Sequence, residues 1–92
     1  MSLDTHQLSC IVEAAIFSSG EPLTMDRLML LFPQEAAPDK KALLGAITLL
    51  HERYESTGIE LVEVKSGYRF QSKQSMSPWI SRLWEKKPPR YS

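Results

Sequence analysis

His6 and Cys10 stand four residues apart, a spacing that puts both side chains on one face of a helix. An imidazole and a thiolate can share a soft metal ion. A closed zinc site needs four ligands, however, and an open catalytic one needs three and a water. The only other histidine, His51, lies far along the chain with no ligand spacing around it. Both histidines are therefore expected to be solvated helix residues. Cys10 falls in an apolar helical pattern and is expected to be a small buried hydrophobe. Glu13, Glu52 and Glu55 read as ordinary exposed helix charges. The sequence has four glycines, each with a turn or helix explanation, and none forms a phosphate-cradling loop. The expected set of catalytic, cofactor-binding and metal-ligating residues is empty, and no enzyme activity is expected.

Phosphate contact is the remaining chemistry to weigh. Lys40, Lys41, Lys65 and Arg69 are the candidates for weak contact with a nucleic-acid backbone. Against them stands the balance of the whole chain: 11 basic residues, 11 acidic ones and a formal net charge of zero. Phosphate neutralisation supplies much of the affinity of a free-standing DNA-binding domain, which usually carries a basic excess. Weak or no direct DNA binding is expected.

The composition bounds the rest. A chain of 92 residues suits one small domain or a piece of a larger protein. Such a domain buries only roughly 60% of the surface its unfolded chain exposes, so contacts with a partner could add appreciable stability. With 42% hydrophobic and 24% charged residues the chain reads as soluble and globular. One cysteine excludes an intrachain disulfide. No stretch reaches the ~20 apolar residues that span a bilayer, and no secretory signal pattern opens the chain. No membrane partner and a cytoplasmic location are expected.

The elements follow from periodicity. Leu8, Ile11, Val12, Ala15 and Ile16 make one stripe of a helix over about 5–19, stopped by Gly20 and Pro22. Thr24 can cap a second helix over about 25–32. There Leu28, Leu31 and Phe32 fit one buried face, while Met29 and Leu30 point elsewhere. A third helix, from about Asp39 to Ser56, buries Leu43, Ala46, Ile47, Leu50 and Tyr54. Pro38 suits its first turn, and Gly45 in its interior reflects close packing or simple tolerance. Residues 59–64 and 68–72 read as a β-hairpin. A three-residue loop, Lys65 to Gly67, would pair Val64 with Tyr68, Val62 with Phe70 and Glu63 with Arg69. That register turns Val62, Val64, Tyr68 and Phe70 inward. A last helix capped by Ser77 carries a stripe of Met76, Trp79, Ile80 and Leu83, with Trp84 beside it, and stops at Pro88-Pro89. The final residues have the look of a linker.

Three helices, a hairpin and a helix are the order of a winged helix-turn-helix, a mainly helical fold with a small β wing. Its third helix enters the DNA major groove in DNA-binding proteins of this architecture. Here the exposed positions of that helix mix Lys40, Lys41, His51 and Arg53 with Asp39, Glu52 and Glu55, and no arginine–asparagine cluster is placed to read bases. The second helix has more apolar side chains than one small domain can cover. That excess favours a protein–protein contact, for which Met29, Leu30, Phe32 and Phe17 are the expected residues.

Four segments carry a likeness. Residues 11–23, Ile-Val-Glu-Ala-Ala-Ile-Phe-Ser-Ser-Gly-Glu-Pro-Leu, resemble the opening of segregation and condensation protein B, ScpB. Gly58 to Val64 followed by Gly67 to Gln71 resembles that family's wing. Pro78-Trp79-Ile80 and Lys87-Pro88-Pro89-Arg90 resemble the end of its first domain. The resemblance implies a homodimer in which the N-terminal domain does most of the pairing. It also implies binding of the kleisin ScpA, largely through a C-terminal domain, and through ScpA of the SMC ATPase. The role implied is chromosome condensation and partition at the nucleoid. It further implies that 1–86 is an N-terminal winged-helix domain and that 87–92 begin a linker to a second one absent from this chain. The competing reading is a DNA-binding winged-helix transcription regulator.

Overall fold

The computed structural model describes residues 3–84. Helix α1, Thr5–Ser19, has the bounds the periodicity predicts. Its start is fixed by a reciprocal box. The Gln7 amide donates to Asp4 Oδ1 at 2.7 Å, and the Asp4 amide donates to Gln7 Oε1 at 2.9 Å. Two of the unpaired donors at the helix start are thereby satisfied. Its end is Gly20 at φ 75°, a left-handed cap that glycine adopts without cost. Leu8, Val12 and Ile16 are buried, whereas Ile11 sits at the solvent edge of the stripe.

Helix α2, Met25–Met29, is shorter than its pattern predicts, and the chain turns tightly as far as Phe32. Thr24 Oγ1 caps it by accepting from the Arg27 amide at 3.1 Å. Leu28 is fully buried. Leu31, expected on the buried face, is exposed because the helix ends before the turn that would have carried it inward. Phe32 remains packed against the core. After a 3₁₀ turn at Gln34–Ala36, helix α3 runs Lys40–Arg53. Asp39 is its cap, accepting from the Ala42 amide at 2.8 Å. Pro38 therefore lies just ahead of the helix rather than in its first turn. Leu43, Ala46, Ile47 and Leu50 are buried, and α3 packs chiefly on α1.

Strands β1, Ile59–Val64, and β2, Gly67–Ser72, form the antiparallel wing. The register differs from the expected one. Val64 faces Gly67, Glu63 faces Tyr68, Val62 faces Arg69 and Leu61 faces Phe70, so the loop is only Lys65-Ser66. Because side chains alternate faces, a one-residue slip exchanges the inner and outer sets of a strand. Leu61, with Tyr68 and Phe70, therefore faces the helices, while Val62 and Val64 lie on the other face. Two terms outweigh the aliphatic pairings that favoured the longer loop. Leu61 is 4% exposed in the core, so its burial is nearly complete. The other term is a third chain segment. Leu23 donates to the Tyr68 carbonyl at 3.0 Å and accepts from the Tyr68 amide at 2.7 Å, pairing on the free edge of β2.

Residues Gln74–Met76 form a 3₁₀ turn that runs directly into helix α4, Ser77–Trp84. Ser77 has helical dihedrals, φ −59° and ψ −30°, so it continues the helix instead of capping it. The expected stop at Pro88-Pro89 lies outside the described residues. The core is a single cluster in which Leu23, Leu28, Leu61 and Tyr68 close over the α1–α3 pair. Mainly helical with one small hairpin, this is the winged helix-turn-helix the element order predicts.

Candidate functional site: an apolar groove and an uncovered helix

Between α1 and β2 lies an open groove of about 870 Å³. Ala14 and Phe17 form its α1 wall, Pro22 closes one end, and Ile59 and Phe70 form the wing side with Tyr54 beside them. The Tyr54 and Phe70 rings meet in a tilted arrangement at a centroid distance of 5.1 Å and an interplanar angle of 55°, within the centroid range of interacting aromatic pairs. The lining is mostly apolar and water reaches it. Phe17, at the groove's edge, is 81% exposed.

A polar brace borders the groove. Arg53 Nη1 lies 2.6 Å from Glu13 Oε1, and Arg53 Nη2 donates to Ser9 Oγ at 2.7 Å. Ser9, itself fully buried, donates to the His6 carbonyl at 2.7 Å. The Tyr54 hydroxyl donates to the other oxygen of Glu13. Glu13 is thus no ordinary surface charge: it ties α1 to the end of α3. Its hydrogen bond with Tyr54, helped by burial, holds the Tyr54 hydroxyl above its ordinary pKa. Tyr68 is also raised, by burial first and by Glu63 second. Glu13 and Arg53 are 40 positions apart in sequence, so no local spacing announces the brace.

Helix α4 presents the second feature. Met76, Trp79, Ile80, Leu83 and Trp84 fall at i, i+3, i+4, i+7 and i+8, the repeat of a core-facing helix. Yet α4 buries no residue, and its substantial packing is with the 3₁₀ turn before it. Trp79 is 65% exposed, Leu83 67% and Trp84 79%.

The residues singled out from sequence fall as follows. Phe17 and Leu30 project into solvent, Leu30 at 78% exposure. Met29 and Phe32 are half-buried and pack against the core. Lys40 and Lys41 are exposed at the start of α3, and Lys65 is exposed in the wing loop. Arg69 lies in β2, where it donates to Gln71 Oε1 at 3.1 Å and borders the groove. The outward face of α3 carries Lys40, Lys41, Leu44, Thr48, His51 and Glu52, a mixed set with two lysines at its start and no arginine. Cys10, expected to be buried, is exposed: it faces the groove, where α1 has no neighbouring helix. Its sulfur lies 4.0 Å from His6 Nε2, but among the described residues no three potential metal ligands gather. No helix among the described residues is long and apolar enough to cross a membrane.

The family profile of "segregation and condensation complex subunit ScpB" matches residues 10–92. The chain belongs to the ScpB family. A segregation and condensation protein B homolog of Coxiella burnetii is 48% identical over 82 residues, covering 89% of this chain and 39% of that protein. The segregation and condensation protein B of Syntrophotalea carbinolica is 30% identical over 90 residues, covering 98% of this chain and 45% of its own length. The chain thus spans less than half the length of these two ScpB relatives. Among solved structures, ScpB from Mycobacterium tuberculosis superposes with a TM-score of 0.74 at 21% identity, over 98% of this chain and 57% of that one. A dimer of the ScpB N-terminal domain complexed with a ScpA peptide superposes with a TM-score of 0.68 at 23% identity, over 82% of this chain and 91% of that one. At these identities both share the fold.

The quoted sequence segments therefore mark the ScpB family correctly, and the winged-helix architecture accompanies it. The groove was not legible from the sequence. Phe17, lying off the buried stripe of α1, was its one visible signal.

Proposed function

We propose that this chain is the N-terminal, dimerising winged-helix part of a non-enzymatic adaptor that acts with the kleisin ScpA and the SMC ATPase in chromosome condensation and partition. One observation carries the reading: in a chain of the ScpB family, α4 leaves the apolar stripe of Trp79, Leu83 and Trp84 in water, and Phe17 stands exposed at the groove. Monomeric proteins rarely expose contiguous apolar patches above a few hundred Å². The complex of a related N-terminal domain dimer with a ScpA peptide supports the same assignment.

In this reading the domain occupies 1–86, residues 87–92 lead toward a second winged-helix domain, and that domain carries most of the kleisin contact. The protein works in the cytoplasm at the nucleoid. The adaptor role requires no catalysis, in keeping with a brace of Glu13, Arg53 and Tyr54 that serves to join α1 to α3. The zero net charge and the mixed outward face of α3 favour protein partners over duplex DNA.

Sedimentation equilibrium tests the reading. A dimer is expected at tens of micromolar; a monomer throughout that range overturns it.

A further inference from the structure

We infer that the dimer forms by reciprocal docking, with α4 of each protomer seated in the α1–β2 groove of the other. The inference rests on the self-association proposed above and names the surfaces that perform it.

The two surfaces match in character. Eight residues at ~1.5 Å rise make a helix about 12 Å long and, with side chains, about 10 Å across, and the groove is open to solvent along its length between α1 and β2. Its walls are mostly apolar, and the exposed stripe of α4 is apolar too.

A protomer's own α4 leaves its own groove open, for none of its residues lines it, and the segment leading to α4 is pinned. The Lys73 amide donates to the Gly58 carbonyl at 2.8 Å, and Lys73 Nζ donates to the Tyr54 and Glu55 carbonyls at 2.9 and 2.7 Å. Four residues later α4 begins with Ser77, Ile80 and Ser81 beside Glu60 and Gln71. Those two residues pair across the strands on the face of the wing turned away from the core. The groove takes in the Ile59 and Phe70 side of the wing and reaches round β2 to Arg69 and Gln71, yet no residue of α4 lines it.

The area suffices for a second copy. At roughly 150–250 Å² per aromatic side chain, and at their observed exposures of 81%, 65% and 79%, Phe17, Trp79 and Trp84 offer on the order of 450 Å² per protomer. Two protomers bring about 900 Å² before Leu83 and the groove walls are added. The total then reaches the about 1,200 Å² at which specific, stable interfaces begin.

The protein carries its own reporters. Both tryptophans, Trp79 and Trp84, lie on α4, and the single cysteine, Cys10, lines the groove. Wild-type protein is diluted across the dimer–monomer transition located by sedimentation. Tryptophan emission should shift to the red, and Cys10 should become at least ten-fold more reactive toward a thiol reagent, both with the sedimentation midpoint. Leu83→Glu should raise the dimer dissociation constant at least 30-fold while leaving the circular dichroism spectrum unchanged. A dimer whose tryptophans stay water-exposed and whose Cys10 stays reactive overturns reciprocal docking and leaves self-association standing. A chain that stays monomeric at tens of micromolar overturns both.

Discussion

Gly67 lies so close to the backbone of Leu23 that a β-carbon on it would stand 2.4 Å from the Leu23 carbonyl carbon. Its φ of 131° belongs to a region that L side chains rarely adopt. The contact exists because Leu23 pairs with Tyr68 on the edge of β2. Gly67→Ala is therefore expected to cost about 2–4 kcal/mol, from backbone strain and the displacement of Leu23 together. Gly45 is the contrast: exposed in α3, with nothing within 4 Å of a β-carbon placed on it. Gly45→Ala should stabilise by roughly 0.5–1 kcal/mol through helix propensity. Urea unfolding at one fixed protein concentration checks both, since dimerisation makes stability concentration-dependent. A neutral Gly67→Ala would mean that Leu23 does not approach as described.

The same pairing explains what the sequence could and could not tell. Helix α1 was legible to the residue because its apolar stripe, its glycine stop and Pro22 agree. Helix α3 was legible for the same kind of reason, and Gly45 proves to be tolerated, not packed. The wing register was not. Local pairing energies favoured Val64 against Tyr68, while the deciding contacts, Leu61 in the core and Leu23 on the far edge, join residues distant in sequence. Cys10 was misplaced because helical periodicity says which residues could be buried and not whether a neighbour arrives to bury them. Of the site, the amphipathic stripe of α4 was visible, but its exposure to water was not. The stripe is written for a core, and only the tertiary structure reveals that the described residues supply none.

The Glu13–Arg53 pair should behave as a partly screened structural contact. Both side chains are about a quarter exposed, at 26% and 28%, so the pair is worth less than its 2.6 Å separation alone would imply. Glu13→Gln should cost about 1–2 kcal/mol, since it removes the charge while leaving Arg53 and the Tyr54 hydroxyl near a weaker acceptor. A double-mutant cycle with Arg53→Gln should return a coupling of about 0.5–1.5 kcal/mol. A coupling indistinguishable from zero would reduce the brace to coincidence of position.

Alkaline pH should loosen the same region. Tyr54 and Tyr68 both titrate above the ordinary tyrosine value of about 10. The folded state therefore holds their protons where the unfolded chain has begun to lose them. This contribution to stability is complete below about pH 10 and is lost as pH rises toward the folded-state values. Stability measured in urea between pH 8 and pH 11.5 should thus be level in its lower part and fall above about pH 10. Tyr54→Phe should be less stable than the wild type at pH 8, having lost the bond to Glu13, and should fall less steeply. Parallel curves for the two proteins would remove Tyr54 as a source of the decline.

Leu30 offers a test of how far the interface extends. It sits at the end of α2 with 78% of its surface in water, and substitutions at such positions usually move stability by no more than about 0.5 kcal/mol. Leu30→Asp should therefore unfold at nearly the wild-type urea concentration. If α2 joins Phe17 and α4 at the dimer seam, burying the new carboxylate there is unfavourable, and the dissociation constant should rise about ten-fold or more. Met29 and Phe32 offer no equally clean probe, because each also packs against the core and its substitution would confound folding with association. An unchanged dissociation constant for Leu30→Asp, with folding intact, would exclude α2 from the seam and confine self-association to α1, the wing and α4.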